Sequence, residues 1–126
     1  MAKQKEGSLQ ERIQRFIEKQ GGYCFKNHGD MTTEPGRPDI VCCYKGLFIG
    51  IEVKVDDNEP TRHQGIHCRK IWNAGGIAFI TWDLNTVKMV LSFADRWINA
   101  NCLLSEIQKG AETQMIFANI DDGRDW

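Results

Sequence analysis

A chain of 126 residues has room for one domain with a real hydrophobic core and too little for two ordinary ones. Its 41% hydrophobic and 26% charged residues exclude a disordered chain, and no apolar run approaches the roughly 20 residues that cross a bilayer. The net charge of −1 excludes a globally basic nucleic-acid binder, although the charge is uneven: residues 1–75 hold 12 basic and 10 acidic groups, residues 76–126 hold 4 and 7. A phosphate backbone, if bound, would therefore meet a local patch on the first half.

The polar stretch from Met1 to Gly7 has no apolar signal core and is expected to be flexible. Five cysteines (Cys24, Cys42, Cys43, Cys68 and Cys102) form an odd set without a CxxC pair, which fits inert, buried thiols in a reduced, cytoplasmic setting. Ser8 can cap a first helix with Glu11 as capping-box partner; Leu9, Ile13, Phe16 and Ile17 follow at helical spacing, and Gly21-Gly22 stops the run. Tyr23 to Lys26 reads as a short strand, and Asn27 to Gly36 as a loop. Pro38 to Tyr44 and Leu47 to Val55 are β-rich runs joined by Lys45-Gly46. A helix is predicted from about Thr61 to Ala74, a buried strand from Ile77 to Trp82, and another strand from Thr86 to Leu91. Ser92 would cap a last helix to about Asn101, with a further helical turn from Ser105 to Lys109 and a loose tail. The order αβββαββα implies an α/β fold: one domain over residues 8–101 with a mixed central sheet flanked by helices, and a C-terminal extension over 102–126.

The hairpin carries the chemistry. In its second strand Leu47, Ile49, Ile51, Val53 and Val55 are apolar, so period-2 alternation sends Glu52 and Lys54 together to the other face. With Lys45-Gly46 as a two-residue loop, Tyr44 pairs with Leu47 and Asp39 falls opposite Glu52, where Cβ atoms lie about 4.5–5.5 Å apart. Two facing carboxylates repel unless a cation lies between them, and Mg²⁺ (or Mn²⁺) takes oxygen ligands of this kind with water and phosphate oxygens. Lys54 would stand beside the ion. A metal, two carboxylates and a lysine on one face suit phosphodiester hydrolysis. The plain alternative is a solvated hairpin face with Asp39 as a turn residue.

Gly36-Arg37-Pro38-Asp39-Ile40, then Gly46-Leu47-Phe48-Ile49-Gly50-Ile51-Glu52-Val53-Lys54, then Thr61-Arg62-His63-Gln64, resembles the VRR-NUC branch of the PD-(D/E)xK nucleases, itself similar to archaeal Holliday-junction resolvases. The likeness covers about residues 7–91 and implies a restriction-endonuclease-like domain. It further implies that Asp39, Glu52 and the Val53 carbonyl bind metal, that Lys54 is the catalytic lysine, that Gln64 points into the site, and that Glu11 completes it. Two plainer roles compete: Thr61 and Gln64 have capping-box spacing, and Glu11 can serve Ser8. By the same resemblance the substrate is DNA, with a branched four-way junction foremost, and the two-fold symmetry of that substrate suits a homodimer. No organic cofactor or membrane enters this reading.

Lys26, His28, Arg37, Arg62 and Arg69 flank the site in sequence and could contact phosphates. His63 and His67 share a helix face, but a third zinc ligand at matching spacing is not evident. Trp72, Trp82 and Trp97 are expected in the core or at a subunit interface. Competing functions are a DNA-binding module that kept the fold and lost the chemistry, and a restriction-type enzyme with a defined recognition sequence.

Overall fold

A computed structural model describes residues 2–28 and 34–108, with side chains over 5–28 and 34–101. The elements run α1 (Ala2–Lys19), β1 (Tyr23–Lys26), β2 (Ile40–Tyr44), β3 (Leu47–Val53), α2 (Arg62–Asn73), β4 (Ile77–Thr81) and α3 (Leu84–Gln108). Residues up to Thr86 form one compact unit and those from Val87 a second, with α3 beginning in the first. No helix among the described residues is long and apolar enough to cross a membrane.

The sheet has the order β1-β2-β3-β4. The first three strands are antiparallel neighbours, joined by the Lys45-Gly46 turn and the loop before Asp39, whereas β4 lies parallel to β3. Parallel neighbours need a crossover, and α2 supplies it. The result is a mixed sheet with one helix on each face.

Alternation along β2 and β3 assigns those faces. Ile40, Cys42, Tyr44, Leu47, Ile49, Ile51 and Val53 share one face and are all buried. Onto it α1 lays Leu9, Ile13 and Ile17, spaced i, i+4, i+8, each at most 4% exposed. Burying each such side chain stabilises the fold by about 1.5–3 kcal/mol. Phe16, expected beside them, is only half-buried. The opposite face carries Gly50, where an added Cβ would approach Pro38 Cγ to 2.8 Å and Ile71 Cδ1 to 2.9 Å. Glycine here lets α2 and the Pro38 segment lie close on the strand.

The sequence reading needs three corrections. The first helix begins at Ala2, not Ser8, so residues expected to be flexible are helical and Ser8 is an interior helix position. The strand expected over Thr86–Leu91 does not form: this segment is the start of α3. Its β-branched residues are overridden by a cap, because Asp83 Oδ1 accepts the Thr86 N–H at 2.7 Å, and this bond lowers the Asp83 pKa. Val87, Leu91 and Ala94 then recur as buried positions at i, i+4, i+7, and Ser92 lies exposed inside the helix, where it caps nothing. The helical turn expected from Ser105 is absorbed into the same helix to Gln108, and the tail beyond lies outside the described residues. The third correction concerns the thiols: Cys43 is exposed, whereas Cys24 and Cys42 are buried cross-strand neighbours with sulfurs 2.8 Å apart.

Candidate active site

The pairing Tyr44↔Leu47 through Ile40↔Ile51 has the register inferred from the two-residue turn, and one further step sets Asp39 in line with Glu52. Asp39 lies just outside β2, and its carboxylate is tied to β3: Oδ2 accepts the Val53 N–H at 2.9 Å. The Asn27 N–H donates to the Asp39 carbonyl at 2.7 Å, holding the backbone from the other side. The loop before it depends on Gly36, at φ +89°, where a Cβ would run into the His63 backbone of α2. Glu34 completes the tether, with an ion pair to Arg37 at 3.7 Å and its Oε1 3.3 Å from His67 Nε2.

Glu52 is the unusual residue. It is only 5% exposed, although a carboxylate is rarely buried without partners. Gln64 Nε2 donates to its Oε1 at 2.6 Å, and Lys54 Nζ stands 3.9 Å from the same oxygen, while its Oε2 is buried and has no hydrogen bond. Burial pushes the Glu52 pKa up to about 8, and the Asp39 charge adds to the rise, against the pull of Lys54. Asp39 acts on Glu52 both as a like charge and as the side-chain hydrogen-bond partner that favours its neutral form.

Gln64 performs both roles that its spacing allows. Its Oε1 accepts the Thr61 N–H at 2.8 Å and its own N–H donates to Thr61 Oγ1 at 3.2 Å, which is a complete capping box. The amide oxygen being so engaged, the amide nitrogen is turned to Glu52. Capping geometry thus positions the side chain that holds Glu52.

Glu11 does not join this group. Its side chain is 58% exposed and lies 4.0 Å from Arg15 on the same helix. Glu6 is the α1 carboxyl within electrostatic reach: burial raises its pKa first and Asp39 raises it further, with Lys54 lowering it. Sequence reasoning passed over Glu6 because it was placed in a flexible N-terminus. The available signal was the spacing of Glu6, Gln10 and Ile13, one stripe of a helix that starts early; Gln10 Nε2 donates to Glu6 Oε1 at 3.3 Å.

The flanking basic residues are more scattered. Lys26 is half-buried opposite Ile40, and alternation assigns it to the α1 face. His28, Arg37 and Arg62 are exposed, the last as the first residue of α2.

These residues fit a magnesium-like ion better than zinc. A closed zinc site takes four such ligands; among the described residues no three His, Cys, Asp or Glu side chains converge on one point, and His67 lies against Glu34. Two carboxylates with an orphaned buried oxygen suit a hard cation that keeps water and phosphate oxygens in its shell.

No family model matches this chain, and no curated protein does. Solved structures do. One described as a VRR_NUC domain superposes with a TM-score of 0.58 at 23% identity, over 70% of this chain and 95% of its own. A second, described as a VRR_NUC domain protein, gives 0.55 at 18% identity, over 69% and 84%. The chain therefore has the fold of those domains.

Proposed function

We propose that the protein is a metal-dependent DNA endonuclease with Asp39, Glu52 and Lys54 at its centre. The observation that carries this reading is Glu52: a buried carboxyl with an orphaned oxygen, facing a second carboxyl, with a lysine held 3.9 Å away. The fold shared with VRR_NUC domains supports it.

In this reading Asp39, Glu52 and the Val53 carbonyl hold Mg²⁺ or Mn²⁺. When bound, the ion polarises the phosphodiester and lowers the pKa of a coordinated water. The protein's own residues prepare the site. The Val53 N–H fixes the rotamer of Asp39, and Gln64 fixes that of Glu52. The Lys54 ammonium, 13% exposed, orients the attacking water or stabilises charge growing on the phosphoryl oxygens. Glu6 stands behind as a further carboxylate that can take up a proton or a ligand water, the place the sequence reading gave to Glu11. Lys26, His28, Arg37 and Arg62 are proposed as phosphate contacts around this centre.

Branched DNA, a four-way junction foremost, is the proposed substrate, and a homodimer the proposed assembly. Tyr23 (68% exposed) and Phe25 (48%) lie on the edge strand β1, and edge-to-edge pairing of β1 would bury them about a two-fold axis. Sedimentation of the wild type against Phe25→Lys tests the dimer: a monomeric wild type ends that part of the proposal.

The function is tested by incubating end-labelled junction, flap and linear DNA with Mg²⁺, Mn²⁺ or EDTA. Cutting that needs the metal and is lost in Lys54→Ala supports the reading. Binding with no cutting under any metal leaves a DNA-binding module in its place.

A further inference from the structure

Two neighbouring stripes of α1 serve different places. Glu6 and Gln10 belong to the side of the Asp39–Lys54 site, whereas Lys5, Ser8, Leu9 and Arg12, at i, i+3, i+4 and i+7, line an open groove of about 510 Å³. Its other wall is Val55, Asp56 and Trp82, just past the C-terminal ends of β3 and β4. Those two ends are stitched together by the Lys54 N–H donating to the Thr81 carbonyl at 2.9 Å. The groove therefore opens one residue along the chain from the proposed catalytic lysine.

Trp82, expected in the core or at a subunit interface, is 43% exposed. Its indole is not loose: Nε1 donates to the Asn58 carbonyl at 3.2 Å, which anchors the polar edge and leaves aromatic surface to the groove. A singly exposed tryptophan needs no explanation. Here, however, basic side chains stand on the opposite wall. The one acidic lining residue, Asp56, is engaged by Lys5 at 3.4 Å, so the lining carries a net positive charge. An anchored aromatic surface in a positively charged open groove is the arrangement that binds unpaired nucleotides, through stacking and phosphate contacts.

We infer that this groove holds an unpaired stretch of the substrate strand, with a base stacked on Trp82 and phosphates beside Lys5 and Arg12. Its role as a feeder to the active site rests on the nuclease reading; its binding capacity does not. Bases in continuous duplex do not offer their faces, so among branched substrates the groove favours DNA in which unpaired nucleotides adjoin a duplex, such as a flap, over a fully paired four-way junction.

The test measures fluorescence anisotropy of the full chain in EDTA with a labelled oligo-dT of about 12 nucleotides, within the range of known single-strand sites, and with a duplex of equal length. Trp82→Ala is expected to weaken oligo-dT binding about tenfold and to leave duplex binding unchanged. Trp82→Phe, which keeps an aromatic face, should retain most of the affinity. Arg12→Ala should weaken binding and flatten its dependence on salt. Unchanged oligo-dT binding in both Trp82→Ala and Arg12→Ala overturns the inference, as does an equal loss on both ligands. Cleavage of a flap and a linear duplex in Mg²⁺ separates the two readings. If the wild type cuts neither while the Trp82-dependent binding persists, the nuclease reading fails and the groove stands. If it cuts and Trp82→Ala changes neither binding nor cutting of the flap, the groove alone fails.

Discussion

Glu52 is subject to opposing demands. The fold buries it, which favours the neutral acid, while the proposed chemistry needs the carboxylate. A carboxyl raised from 4.5 to about 8 contributes stability that is complete below 4.5 and is lost as pH rises through about 8. The metal-free protein should therefore lose melting temperature across that window. Glu52→Gln should lack this part of the loss, and Mg²⁺ should restore stability to the wild type only on the alkaline side. Calorimetry at a series of pH values reads all three effects, and a wild type and Glu52→Gln with parallel curves would contradict the assignment. Metal affinity should rise with pH as the proton leaves Glu52.

The two helix carboxyls make a second comparison at this scale. Glu6→Gln should lower cleavage, because Glu6 lies within electrostatic reach of Asp39 and Lys54. Glu11→Gln should leave it near wild type, since Glu11 is exposed beside Arg15. Rates measured side by side decide the matter, and the reverse ranking would return Glu11 to the site. Lys54→Ala should abolish cutting while DNA binding in EDTA persists; undiminished cleavage would remove the lysine from the mechanism.

At the scale of the element, α2 links stability to the site. Thr61 caps it, and the same capping box aims the Gln64 amide at Glu52. Thr61→Ala should cost about 0.5–2 kcal/mol, as lost N-caps do. It should also reduce cleavage by more than the unfolded fraction explains, because Gln64 loses one of its two anchors. Denaturant titration together with specific activity on the folded protein checks this. An activity loss no larger than the stability loss would mean that the cap is structural only. The hairpin is the other decisive element. Ile51 is fully buried on the α1 face one residue before Glu52, so Ile51→Ala should cost about 2–5 kcal/mol.

For the whole molecule, the proposed active site depends on segments that converge from far apart in the chain. The hairpin brings Asp39 to Glu52, the crossover helix brings Gln64, and the first helix brings Glu6. Both sheet faces are used: α1 closes the apolar side, and α2 covers part of the other, beside the bare aromatic strip at β1. Such a site is lost as a unit when the core gives way, so binding of Mg²⁺ should raise the global melting temperature. Its absence at saturating Mg²⁺ above pH 8 would argue that no ion is held between the carboxylates.

The hairpin, its register and the alignment of Asp39 with Glu52 were legible in the residues alone, because a two-residue turn and a period of two leave only one alignment. So were α2 and its cap, which are local. The sequence could not show where α1 begins, since the polar residues before Leu9 signal neither helix nor coil until a site gives Glu6 neighbours. It misplaced Thr86–Leu91 as a strand, because β-branched residues outweighed a cap one turn upstream. Long-range packing set the rest: Gln64 both caps and reaches Glu52, Glu6 comes within electrostatic reach of Asp39 and Lys54, and Trp82 lies open. Those are matters of distance between segments remote in sequence, and no spacing rule encodes them.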